Sequence, residues 1–374
     1  QMETEFHTDV VICGGGPAGA STALSLLRYT DRSVTIIEGS GFDRVKVGEQ
    51  VSPALFNVLD YLGIGRDALP ENTISQGFTH LAAWGSPQLL ARHAINNVAG
   101  DSFQLDREHF DLLLVEEVVA QGGRVLPQTR FVSAKQGPNG EWELIAQHKS
   151  KGQILIRAKY LVDATGRNGR LARQLDLDAV QKDQLVGVGA FLEFDADHKE
   201  VPEVVLETRP EGWWYSAPLP NDRMTVTLFT DADLVAKFEL NDKKNWLEFL
   251  SKTHFIRQKS SGGKANLGLW VRNAFTRLTL PSDIPGFLSV GDAALSIDPL
   301  SSIGIGFAMT SGCQAARALD ADLKGQPEFI AAYKDSLNSN FQEFSQRLHG
   351  YYTKEKRWLD APFWARRAEE LVGA

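Results

Sequence analysis

Short, unbroken apolar runs alternate with helical spacing at the start of this chain. Positions 10–13, Val-Val-Ile-Cys, contain no polar residue and are too few for a helix, which predicts a strand buried on both faces. Gly14, Gly15 and Gly16 end that run. Apolar positions then recur at helical spacing over 20–29, and a second apolar run occupies 34–37. Strand, helix and strand in this order predict a βαβ unit with parallel strands. A further helical pattern over 106–121 leads into strand-like segments at 124–126, 141–145 and 154–162.

Near 185 the pattern changes. From there to about 280, β-like runs such as 224–229 have aromatic residues scattered between them, which predicts a mostly antiparallel sheet. An apolar strand returns at 287–290 and an apolar helix follows over 307–319. From 327 onward polar and aromatic residues alternate at helical spacing. The expectation is an α/β fold in which a Rossmann-like domain, a parallel sheet flanked by helices, is assembled from 5–75, 101–184 and 281–326. It is interleaved with a mostly antiparallel β substrate domain formed by 76–100 and 185–280. A C-terminal helical segment, 327–374, completes the chain.

Composition narrows the function classes. At 374 residues, 43% of them hydrophobic, the chain can fill a sizeable core. The net charge is −8 and its Lys and Arg residues are scattered, so no electrostatic footprint for nucleic acid exists. No apolar run reaches the roughly 20 residues that a membrane-spanning helix needs, and residues 1–9 are polar and acidic rather than signal-like. A cytoplasmic protein with no membrane partner is expected. Cys13 and Cys313 lie far apart in apolar, glycine-rich segments and read as reduced, buried thiols. With no CxxC pair, no HExxH helix and eight histidines at no ligand spacing, no metal site is expected.

Three separated blocks carry chemistry. In the first, Gly14-x-Gly16-x-x-Gly19 sits between a predicted strand and a predicted helix. Gly14 permits the tight turn, Gly16 lets backbone N–H groups approach a pyrophosphate, and Gly19 lets helix and strand pack closely. Glu38 ends the second strand, where a carboxylate can accept hydrogen bonds from adenosine ribose hydroxyls. This unit alone does not separate NAD from FAD. The second block does: Gly291-Asp292 follows an apolar strand, and an Asp there can bind the ribityl hydroxyls that FAD has and NAD lacks. The third, Asp298-Pro299-Leu-Ser-Ser302-Ile-Gly304-Ile305-Gly306, opens an apolar helix whose N-terminal dipole can stabilise negative charge on a reduced flavin. Arg107, on the first turn of the 106–121 helix, is placed to reach the flavin's pyrophosphate, and Asp163-Ala-Thr-Gly166-Arg167 ends a strand near the same ligand. Within these blocks and the Val47-Gly48 segment, Ala18, Gly48, Pro299, Ser302 and Ile305 complete the candidate FAD contacts.

Together these segments resemble the para-hydroxybenzoate-hydroxylase-type flavoprotein superfamily. Val47-Gly-Glu-Gln-Val-Ser-Pro53, Gly212-Trp-Trp-Tyr-Ser-Ala-Pro218 and the aromatic stretch 351–364 further resemble its flavin-dependent tryptophan halogenase branch. The halogenating residues are missing. Where that branch has a lysine after a Gly-x-Phe segment, this chain has Thr79 and His80 after Gly77-Phe78. Tyr215, Ala217 and Ser301 stand where the branch has its Trp-x-Trp-x-Ile-Pro motif and, in the tryptophan enzymes, a Glu. The flavin loop is similar to that of flavoproteins that mature cysteine tryptophylquinone oxidases of the lysine-epsilon-oxidase and glycine-oxidase type.

That resemblance implies a monooxygenase in which reduced FAD and O2 oxygenate an aromatic ring. The ring would belong to a tryptophan of a partner protein, a quinoprotein precursor. Two alternatives stay open: hydroxylation or halogenation of a small aromatic metabolite, and a flavin-bearing assembly factor without turnover. Electrons would come from NAD(P)H docking transiently or from an external flavin reductase, since no second Gly-x-Gly-x-x-Gly is present. No catalytic residue is identified; His80, Trp84, Trp214 and Tyr215 are the candidates to line the substrate pocket. The 347–364 stretch either docks a partner or packs as a helix over the flavin domain.

Overall fold

The computed structural model describes residues 5–44, 46–91, 102–199 and 201–369. Part of the expected substrate segment, 92–100, and the chain end, 370–374, lie outside the described residues. The first strand, Glu5–Cys13, is flanked by Val34–Ile37 on one side and Gly152–Asp163 on the other, all parallel. The first helix, Pro17–Tyr29, starts at a proline, whose missing N–H costs nothing at a helix start. Arg124–Leu126 extends the sheet beside Val34–Ile37. Gly152–Asp163 is long enough to serve two neighbours: its first part pairs antiparallel with Trp142–His148, its last residues parallel with Phe287–Ser289. The first and the 287–289 strands, from opposite ends of the sequence, thus flank one strand.

A second seven-stranded sheet runs in the order Trp270–Asn273, Leu185–Glu193, Arg223–Asp231, Gly212–Leu219, Glu203–Arg209, Thr79–Ala83, Leu90–Ala91. Every pair in it is antiparallel except Glu203–Arg209 with Thr79–Ala83, which is parallel. The expectation of an antiparallel sheet over 185–280 also missed the helices Ala232–Lys237, Lys243–Ser251 and Phe255–Lys259, which return over one face of it. Asp242 caps the second of these helices by accepting from Lys244 N and Asn245 N. The third is capped from the sheet itself, because the buried Glu207 carboxylate accepts from His254 N, Phe255 N and Ile256 N. A short polar segment beside a strand carried no local sign of a cap supplied by a residue 47 positions away.

Strand parity divides this sheet into an outer and an inner face. Val188, Val205, Trp214, Val226 and Leu228 pack outward with Trp246 and Ile256 of the covering helices. The alternate positions, among them Leu206, Trp213 and Phe229, join the core that continues into the flavin-side domain. The helix Gly304–Leu323 crosses the first helix closely: a Cβ at Gly312 would lie 2.6 Å from Ala18 O. Glu328–Tyr352 and Pro362–Glu369 close the structure. Among the described residues no helix is long and apolar enough to cross a membrane, and no His, Cys, Asp and Glu cluster could hold a metal ion.

Candidate active site

The glycine turn is tight enough to be built from backbone alone. Gly14 has φ +118°, and a Cβ there would meet Ala164 O at 2.0 Å; one at Gly19 would meet Gly14 O at 2.0 Å. At Gly16 a Cβ would meet nothing within 4 Å. Space therefore opens at the N-terminus of the Pro17–Tyr29 helix, where no side chain caps the free N–H groups. This is the arrangement a pyrophosphate needs. Ala18 is buried beneath that turn, and a Cβ on Gly291 would lie 2.5 Å from the Ala18 Cβ. Glu38 Oε2 accepts from Gly15 N at 2.9 Å, and Oε1 accepts from Ser40 N and Oγ at 2.8 and 2.7 Å. Burial alone would raise its pKa, but these hydrogen bonds outweigh it and hold the carboxyl below its ordinary value, ionised and able to accept further.

The second and third blocks converge on this turn. Gly291, at φ +56°, donates its N–H to Ser311 Oγ, and Asp292 forms an ion pair with Arg167 at 3.4 Å. Arg167 also donates to the carbonyls of Phe275 and Ile297, so it ties the Asp163 turn to the strand ahead of the flavin loop. Asp163 is wholly buried and organises its own turn, accepting from Thr165 N, Thr165 Oγ1 and Ala172 N. In the flavin loop, Pro299–Ser301 forms one short helical turn and Ser302 takes a left-handed conformation at φ +56°. The 20-residue helix then begins at Gly304, with no side-chain cap, and Cβ atoms at Gly304 and Gly306 would meet nothing within 4 Å. Ile305, between them, is buried. Open space at two helix N-termini, with Gly291 packed against Ala18 of one helix and Ala308 of the other, fits a ligand with phosphates at one end and a flavin at the other.

Arg107 is held by four hydrogen bonds within the chain. Its Nε and Nη2 grip both Asp111 oxygens at 2.8 and 2.9 Å, and Nη1 donates to Val47 O and Gly48 O at 2.6 and 3.1 Å. Those bonds use most of its donors and fasten the loop carrying Gly48, itself at φ +88°. Next to it, Glu49 is a residue the sequence reading passed over. Its Oε1 is buried with no hydrogen-bond partner, and burial, offset by Arg107, pushes its pKa up to about 7. Asp298, which opens the flavin loop, is a second such carboxyl. It is buried, Oδ1 accepts from Leu300 N, Oδ2 accepts from the Tyr352 hydroxyl, and burial raises its pKa to about 7. The signal available in the sequence was a carboxylate inside an apolar run, which says nothing of its partners.

The four pocket candidates separate by strand parity. His80 pairs with Val204 and Tyr215 with Leu206, which puts both on the inner face. His80 Nε2 lies 2.5 Å from Ser102 Oγ, and Tyr215 packs with Phe78, Val204 and Ala217. Trp214, fully buried, points the other way and packs against Trp246 at 5.4 Å. Trp84 belongs to an aromatic cluster with Trp213, Tyr351, Tyr352 and Trp364, and its Nε1–H donates to Tyr351 O at 3.1 Å. Trp214 thus packs on the outer face, while Trp84 stays half-buried against the C-terminal aromatic residues. Thr79, at the position matched to the halogenase lysine, is exposed and pairs with Glu203. The C-terminal stretch turns its aromatic residues inward: Trp364 Nε1 donates to Arg209 O, Glu355 accepts from Gly85 N, and Arg367 forms a buried two-pronged pair with Asp231.

The sequence and the fold are similar to those of known flavoproteins. The sequence matches the FAD binding domain family over residues 7–343. It is 37% identical, over 363 residues and 96% of each chain, to the putative FAD-dependent oxidoreductase LodB of Marinomonas mediterranea. The structure of the myxobacterial chondrochloren halogenase CndH superposes with a TM-score of 0.84 at 19% identity, covering 98% of this chain and 88% of that one. The peptidyl tryptophan dihydroxylase QhpG superposes with a TM-score of 0.70 at 24% identity, covering 97% of this chain and 79% of that one. At such identities both structures speak for the fold. The family match, which takes in both helix starts, makes the chain a member of the FAD-binding-domain family and an FAD-dependent oxidoreductase.

Proposed function

We propose that this enzyme is a monooxygenase that uses O2 to hydroxylate an aromatic ring, and that the ring is a tryptophan of a partner protein maturing toward a tryptophylquinone cofactor. The observation that carries the reading is the inner face of the substrate sheet. It presents His80 and Tyr215, and Thr79, next to His80 on the same strand, stands where the halogenase branch has its lysine. Halogenase-like chemistry needs that amine, whereas oxygenation of an electron-rich indole does not. Full-length similarity to LodB supports an FAD-dependent oxidoreductase, and the fold shared with a peptidyl tryptophan dihydroxylase is compatible with the same substrate class.

When bound and reduced, FAD supplies the activation of O2. The chain's own residues do the remainder. The uncapped helix start at Gly304 offers N–H groups and a positive dipole end to negative charge arising beside the flavin loop. Trp213 stacked on Phe229 at 4.2 Å forms an apolar part of the inner face and helps exclude water. Oxygenated at a carbon, an indole must lose a proton to regain its aromaticity, and the hydrogen-bonded His80 and Ser102 pair is the acceptor on that face.

The test incubates enzyme, a chemical reductant and a tryptophan-containing partner precursor under isotopically labelled O2, followed by peptide mass spectrometry. Labelled oxygen on a tryptophan is the expected result; an unmodified partner after full flavin reoxidation removes the proposal. As a second reading, suggested by the fold shared with the halogenase CndH, the substrate is a small aromatic molecule. Free aromatic substrates with and without chloride or bromide distinguish it, because a halogenated product requires halide.

A further inference from the structure

We propose that Tyr352, on the last turn of the helix Glu328–Tyr352, is a positioning residue for the flavin loop, acting through Asp298 and held in turn by Trp213 of the substrate sheet. The inference rests on FAD occupying the loop at 298–304. Three segments far apart in sequence meet here. Trp213 Nε1 lies 3.0 Å from Tyr352 Oη, and Tyr352 Oη lies 2.6 Å from Asp298 Oδ2. An indole N–H can only donate, so the tyrosine oxygen accepts from Trp213 and its single hydrogen is left for Asp298. The direction of the chain of bonds is thereby fixed.

Asp298 is the root of the loop. Its N–H donates to Thr276 Oγ1, Oδ1 accepts from Leu300 N at 2.8 Å, and its carbonyl accepts from Ser301 N and Oγ. Four residues later the left-handed Ser302 hands the chain to the helix start at Gly304. Trp213, Tyr352 and Asp298 are all buried, with 1%, 6% and 2% exposure, so water cannot replace a bond that is lost. A phenylalanine would satisfy the packing around Tyr352, formed by Trp84, Phe363 and Trp364; the hydroxyl serves the carboxylate. Asp183 and Arg367 also face this carboxyl, the first opposing and the second favouring its charge. Both Asp298 oxygens are engaged as acceptors, so the bond from Tyr352 favours the ionised, loop-holding form.

The full chain carrying Tyr352→Phe is compared with the parent by FAD titration and by thermal melting. The matched control is Tyr160→Phe, which removes a Tyr–carboxylate bond of the same kind, to Asp322 at 3.1 Å, in the core away from the loop. We expect the FAD Kd of Tyr352→Phe to rise roughly tenfold, as for loss of one charge-assisted hydrogen bond, with Tyr160→Phe within twofold of the parent. Should Tyr352→Phe not fold, Trp213→Phe severs the relay one bond earlier and is expected to raise the Kd by a smaller factor. A parent-like Kd in the relay variant, or an equal loss in Tyr160→Phe, overturns the assignment. A parent that takes up no FAD instead overturns the flavin reading itself.

Discussion

At Gly14 the backbone passes so close to Ala164 that no side chain fits, whereas at Trp213 and Trp214 two identical side chains leave one strand in opposite directions. The nucleotide end of the molecule works through what glycine omits: N–H groups are exposed because nothing covers them. The substrate sheet works through what its side chains add, and which of them reach the flavin side depends on register. The same local sequence reading therefore succeeds at one end and stalls at the other. A backbone site is encoded by residue type, while a side-chain site on a sheet is encoded by parity, which two neighbouring aromatic residues do not reveal.

The largest effect that can break this comparison lies within the glycine motif. Gly14→Ala places a methyl 2.0 Å from Ala164 O on a backbone at φ +118° and should leave little folded protein, read as loss of a cooperative thermal transition. Gly16→Ala meets nothing within 4 Å and starts from φ −75°, which alanine adopts freely. It should melt like the parent without FAD yet bind FAD at least tenfold more weakly, because the methyl enters the space left for phosphate. Equal melting of the two variants would mean that Gly14 is not the structural member of the pair.

Next in size is the wall of the substrate sheet. Trp214→Ala empties the packing against Trp246 and should cost about 3–5 kcal/mol in denaturant unfolding, as for other buried aromatic truncations. FAD affinity measured on the fraction that remains folded should not change. A variant that melts normally but loses activity would return Trp214 to the pocket.

Much of the fold was legible because the central βαβ unit is local. The run at 34–37 is the observed strand Val34–Ile37, and the helical pattern over 106–121 matches Arg107–Ala120 within one residue at each end. What was not legible was non-local. The helix Phe255–Lys259 is capped by Glu207, and the Thr79–Ala83 strand pairs in parallel with a strand more than a hundred residues later. The carbonyls of Val47 and Gly48 that Arg107 holds carry no sequence signature. Asp298 and Glu49 sit inside recognisable motifs, but their burial and orientation follow from chains that arrive from elsewhere.

Those two carboxyls give a smaller, pH-dependent effect. Burial raises both to about 7, above their unfolded values, so the folded chain keeps protons that the unfolded chain has already released. Stability should therefore fall as pH rises from roughly 4 toward 7, and remain at that lower level above it. Asp298→Asn and Glu49→Gln each abolish one titration and should flatten the slope by roughly 2 kcal/mol between pH 5 and 8. Unfolding free energies at the two pH values for parent and variants measure this directly; an unchanged slope would mean that the carboxyls are ionised in the folded chain throughout.

The smallest change in stability should come from the inner face itself. Tyr215→Phe keeps the ring that packs with Phe78, Val204 and Ala217, and should cost about 1 kcal/mol or less. A core residue would show nothing more. A residue that meets substrate loses a polar contact felt only during turnover, so product formation should slow several-fold while FAD Kd and melting temperature stay near the parent. His80→Phe should behave alike, because it removes the hydrogen bond to Ser102 and the ring nitrogens while keeping an aromatic ring on that face. If both variants turn over normally, the inner face is a wall like the outer one, and strand parity, though it excluded Trp214, does not suffice to find the site.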